Sequence, residues 1–140
     1  MKRFIPLFAA AALSIAAPVA AFAHGPTSGP HGGVMADAGS YHVEFTAQGD
    51  DIMLYVSDGD GKPLDVAEAK AEATVLADKK AQKVSLAPAG SPAGGNLLRG
   101  RAALGGARET GALKAVVVLT MPGQKPVQAR FDLPPVQRLP

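Results

Sequence analysis

The stretch that decides the fold is "YHVEFTAQGDDIMLYVSD", residues 41–58. Tyr41, Val43 and Phe45 alternate with His42, Glu44 and Thr46. A period of two places the two sets on opposite faces of a half-buried strand. After the turn Gln48-Gly49-Asp50 the alternation resumes, with Ile52, Leu54 and Val56 facing inward. The two runs predict an antiparallel hairpin.

Working outward, "DGDGKP" (58–63) is a turn. Its acidic spacing invites a calcium reading, but Lys62 stands at the next ligand position and the bidentate Glu is absent. "KAEATVLA" (70–77) and "KVSLAP" (83–88) predict a second pair of strands. Two readings compete over 65–80. Asp65 followed by Glu68, with abundant Ala and Lys, suits a capped helix. Thr74, Val75 and the flanking strand pairs favour a short turn near 66–69 and then a strand. "NLLRGRAAL" (96–104), the doubly apolar "ALKAVVVLTM" (112–121) and "KPVQARFDL" (125–133) complete the set. In the last, Val127, Ala129, Phe131 and Leu133 share a face. About seven short strands with a turn every 8–12 residues predict an all-β chain. The expected architecture is an antiparallel β-sandwich, immunoglobulin-like in broad form, over 41–134, with 135–140 as a tail.

The start of the chain is of another kind. Lys2 and Arg3 precede an apolar run interrupted by Pro6 and Pro18, and Ala21-Phe22-Ala23 places small residues before a cleavage point. This layout predicts a secretory signal peptide over 1–23, cleaved after Ala23, and no membrane span thereafter. The expected location is the periplasm. Loss of Lys2 and Arg3 brings the chain from 14 basic residues to 12, against 12 acidic ones. No basic excess then remains to argue for nucleic acid. With no cysteine, thiolate metal sites and disulfides are excluded, and the fold must rest on core packing.

Between signal and first strand, residues 24–40 hold seven Gly or Pro and read as a flexible arm. All three histidines of the chain, His24, His31 and His42, fall within 24–42. Imidazole suits copper, zinc and nickel, with copper(II) bound most tightly. As a new N-terminus, His24 would offer its α-amine and Nδ1 as a chelate, and a third nitrogen from His31 or His42 would complete the set. Pro26 has no amide proton, so the third backbone nitrogen is not available as a ligand and a site of consecutive backbone amides is disfavoured. Gly32 and Gly33 allow the backbone to turn His31 toward a shared site. His42 shares a strand face with Glu44, a ligand pair or a ligand with its carboxylate partner. Met35 and Met53 are thioethers suited to copper(I), with Met35 on the arm. The expected metal residues are therefore His24, His31, His42, Glu44 and Met35. No G-x-S-x-G, Walker or H-E-x-x-H pattern occurs, so no enzyme is expected.

The strings "HGPTSGPHGG", "YHVEF", "LYVSDGDGKPLDV", "ATVL", "VSLAPAG", "NLLRGRA" and "AVVVLTMPGQKPVQARF" resemble a group of small exported bacterial proteins. These are similar to the β-rich domain near the N-terminus of periplasmic adaptor subunits of heavy-metal efflux pumps. The resemblance spans about residues 31 to 132. It implies a periplasmic role in handling copper or other heavy metals, with a pump component as partner. The chain lacks the long helical hairpin of a full adaptor. Two functions follow as expectations. One is a copper-binding (or zinc-binding) buffer, carrier or efflux accessory. The other is a non-catalytic docking module with incidental histidines.

Overall fold

The structure, a computed structural model, describes residues 27–89, 95–105 and 111–135. The expected signal peptide and His24 lie outside these residues, as does most of the tail. Nine strands occur among the described residues: β1 Thr27–Ser28, β2 Val34–Ala38, β3 Tyr41–Gln48, β4 Asp51–Ser57, β5 Lys70–Ala77, β6 Lys80–Pro88, β7 Leu97–Arg101, β8 Leu113–Thr120 and β9 Val127–Leu133. All pairings are antiparallel, in the order β1-β2-β3-β4-β7-β6-β5-β8-β9. The strands β5, β6 and β7 run as a meander, and β8 returns to lie beside β5, which is a Greek key.

The predicted hairpin is present, with Glu44 opposite Tyr55 and Phe45 opposite Leu54. The segment 70–77 is a strand, and the turn before it is closed by Asp65 Oδ1, which accepts from the Ala67 N–H at 2.9 Å. The all-β antiparallel class is as expected, but two details differ. Eight strands exceed two residues where seven were expected, and the sandwich is one continuous sheet. Its two halves are joined only where β6 meets β7, through Ala87 with Arg99 and Pro88 with Leu98. The sheet curls until β2 lies beside β9, so it nearly closes into a barrel. Curling of this kind follows from the right-handed twist of strands summed over many pairs.

The core lies between the halves. Phe45 and Phe131 stack with centroids 5.1 Å apart, and Ile52, Leu54, Val56, Leu98, Leu113 and Leu119 are fully buried around them. The inward residues of β5 are Ala71, Ala73, Val75 and Ala77. Small residues there offset the large ones elsewhere and keep the packing dense.

The largest departure is the arm. Residues 34–38 are strand β2, which pairs with β3 along its whole length, from Val34 with Phe45 to Ala38 with Tyr41. Residues 29–33 form the tight end of the β1–β2 hairpin. The Gly and Pro content signals turns here, not looseness, and pairing with β3 makes a strand of a short segment without strong propensity of its own.

Candidate functional site

The segment "GPHGG" (29–33) folds over the outer face of β2, β3 and β4. The Gly32 N–H donates to the Gly29 carbonyl at 3.0 Å, and the Gly29 N–H donates to the Gly33 carbonyl at 3.0 Å. Gly32 has φ +76°. This is a three-residue hairpin loop, a turn with Pro30 at its second position followed by a left-handed glycine. The loop lays its backbone on Glu44, which is 2% exposed. Glu44 Oε2 accepts the His31 N–H at 2.9 Å and the Gly33 N–H at 2.8 Å. Glu44 Oε1 lies 2.7 Å from His31 Nδ1. A Cβ on Gly29 would stand 2.2 Å from Glu44 Cδ, and one on Gly33 would stand 2.4 Å from the Phe45 carbonyl oxygen. Glycine is required at both positions because the loop and β3 are in van der Waals contact.

The His31 ring, with 43% of its side chain exposed, stacks on Tyr55 at 3.6 Å between centroids and 2° between planes. Tyr55 is the register partner of Glu44 on β4, and Met35 is its partner on β2. These side chains share a cavity of about 90 Å³, also lined by Pro30, Ser57, Gly61, Pro63 and Asn96. His42 stands apart. Its Nδ1 is 2.5 Å from Asp37 Oδ1 on β2, and its Nε2 is 3.3 Å from the Gly59 carbonyl oxygen. Asp58 holds that turn in place, accepting from the Asp60 and Lys62 N–H groups at 2.9 Å each.

The structure thus brings together His31, Glu44 and Met35 from the expected metal residues. It does not bring His42 to them, since each imidazole has a carboxylate of its own. His24 lies outside the described residues. Among the described residues, no group of three or more His, Asp or Glu is placed to hold a metal. Among the described residues, His31 Nε2 has no hydrogen-bond partner. A carboxylate on one ring nitrogen with the other nitrogen open is the usual setting of a histidine metal ligand.

Glu44 lies on the polar face of β3 that the alternation predicts, and it is buried because the hairpin covers that side. The same covering buries Thr46, whose Oγ1 is the one buried side-chain polar atom without a hydrogen-bond partner among the described residues. An unpaired buried hydroxyl costs free energy that a methyl group does not. Thr46→Val is therefore expected to raise stability by about 1 kcal/mol. A higher urea midpoint at unchanged slope would show it.

Sequence reasoning missed Tyr55 and Asp37. Tyr55 faces Glu44 because the hairpin turns on Gly49 and Asp50 alone, with Gln48 paired to Asp51, one residue tighter than the predicted turn. Asp37 required knowledge of β2. Among the described residues no helix is long and apolar enough to cross a membrane. Compared with known proteins, the chain matches no family model, no curated protein and no solved structure.

Proposed function

We propose that the protein is an exported, periplasmic binder of copper or a related divalent metal such as zinc. It would act as a buffer, a carrier or an accessory to metal efflux, the role that the resemblance to pump adaptor domains implies. One observation carries this reading: His31 is held through Nδ1 by buried Glu44, its side chain is 43% exposed, and none of the described residues bonds its Nε2. The remaining nitrogens would come from the α-amine and Nδ1 of His24 once the signal peptide is removed. Met35, beside the same cavity, is a soft donor for copper(I). His42 is the weaker ligand, because the Gly59 carbonyl oxygen already faces its Nε2.

The docking reading finds less support. Leu76 and Val118 are the exposed large apolar side chains of the described surface. They sit on adjacent strands, with Leu76 opposite Lys114 and Val118 opposite Glu72, four register positions apart. Isolated apolar side chains of this kind are ordinary on a soluble surface.

The test is calorimetric titration of the processed protein with copper(II) and zinc(II) at neutral pH, with the N-terminus confirmed by intact mass. Stoichiometric binding is expected. It should be lost in His31→Ala, or when one residue is added ahead of His24, and be nearly unchanged in His42→Ala. The chain has two tyrosines and no tryptophan, so copper(II) should also quench the emission of Tyr55. Absence of binding by the parent, or parental affinity in His31→Ala, would refute the reading.

A further inference from the structure

We infer that Glu44 and Tyr55 are positioning residues that hold His31 in one plane and one tautomer, with Nδ1 carrying the proton and Nε2 turned out as the metal-binding atom. The inference deepens the metal-binding reading and rests on it for the identity of the ligand, but not for the state of the ring.

Two contacts fix the ring, one at Nδ1 and one on its face, and backbone bonds fix the carboxylate that holds it. Nδ1 lies 2.7 Å from Glu44 Oε1. The same carboxylate accepts the His31 backbone N–H, at 2.9 Å to Oε2 and 3.3 Å to Oε1, so backbone and ring of one residue are tied to one group. The Gly33 N–H supplies a further donor at 2.8 Å. A carboxylate that already takes backbone N–H groups on its oxygens is set to accept from Nδ1–H. Tyr55 then covers one ring face at 3.6 Å, nearly parallel, and blocks rotation toward that side. Turning the ring to present Nδ1 outward would break the 2.7 Å bond and take a donor from a carboxylate that is 2% exposed. Such a loss is unfavourable for a buried charge.

His42 shows what is distinctive about His31. It also sets Nδ1 against a carboxylate, Asp37, but its Nε2 meets the Gly59 carbonyl oxygen, and Asp37 is exposed. Of these two rings, His31 alone combines a buried anchor with an open nitrogen. Glu44 consequently acts on a metal through His31 and does not ligate it, since its oxygens are occupied by the loop. Of the two roles expected for Glu44, ligand or carboxylate partner of a ligand, this is the second, with His31 in place of His42.

The experiment is a long-range proton–nitrogen correlation of the histidine rings in the full processed protein, labelled with nitrogen-15, at mildly alkaline pH. A single Nδ1–H tautomer is expected for His31. Zinc(II), which is diamagnetic, should move Nε2 and leave the Nδ1 proton in place. Glu44→Gln keeps an oxygen that can accept from Nδ1–H and should retain the tautomer, and Tyr55→Phe should retain the stack. Glu44→Ala, or Tyr55→Leu if the first does not fold, should weaken zinc binding by roughly 10-fold or more, as loss of a ligand's carboxylate or packing partner does. An Nε2–H tautomer or a mixture in the parent would overturn the inference, as would zinc binding at Nδ1. A single Nδ1–H tautomer with no response to zinc would instead refute the metal reading and leave the positioned ring standing.

Discussion

Replacing Glu44 with alanine is expected to lower the stability of the protein by about 3 kcal/mol, because two backbone donors and a ring nitrogen lose a charged acceptor at once. The His31 and Gly33 N–H groups and His31 Nδ1 all converge on this carboxylate. Alanine also leaves a void beneath the loop. For a domain of this size the change corresponds to a fall in Tm of roughly 10 °C. Glu44→Gln should lie between the parent and Glu44→Ala, because one oxygen remains while the amide NH₂ faces donors instead of accepting from them. Thermal melts of the three proteins check this. A loss in Glu44→Ala below about 1 kcal/mol would mean that the loop is held by something other than this carboxylate.

The second large effect is expected at Gly33. A Cβ there would stand 2.4 Å from the Phe45 carbonyl oxygen and 2.6 Å from Thr46 Cγ2. The first of these is backbone of a strand paired on both sides, and it cannot withdraw without disturbing the ladder. Gly33→Ala should therefore cost about 3 kcal/mol, the upper range for forcing atoms into a filled space. The comparison that isolates the mechanism is Gly32→Ala. Nothing lies within 4 Å of a Cβ on Gly32, so its substitution meets only the left-handed backbone. It should cost about 1 kcal/mol. Urea melts of the pair give the difference directly. Equal losses at the two positions would show that backbone conformation, not contact, makes glycine necessary here.

Both effects centre on a segment that the sequence alone presents as a loose arm. The reason is physical. A count of Gly and Pro does not separate a flexible tether from a tight hairpin end, since both need the same residues. What separates them is the order: Pro30 where a turn wants a fixed φ, and Gly32 where it wants a positive one. The strands β3, β4 and β9 were legible because alternation registers in the identity of the side chains themselves, while β8 showed as a continuous apolar run and β5 through its β-branched Thr74 and Val75. Alternation states which residues share a face, but not whether that face is later covered. So His42, Glu44 and Thr46 were correctly set on one side of β3, while the burial of Glu44 and Thr46 was out of reach. The covering element comes from elsewhere in the chain. Likewise the Asp37–His42 pair depends on β2, whose five residues carry too weak a pattern to announce a strand.

The near-closure of the sheet bears on how the molecule fares among other chains. An open edge strand is a template on which a second polypeptide can pair, and such edges drive aggregation. Here β2 and β9, the long strands at the two ends of the order, lie beside each other, β1 caps the outer start of β2, and Pro134-Pro135 follow β9 with no N–H to donate. The hairpin that clasps Glu44 is therefore also a guard on an edge. Variants that loosen it should do more than melt at lower temperature. They should bare the backbone of β2 and give more fibrillar or amorphous deposit than the parent under the same conditions.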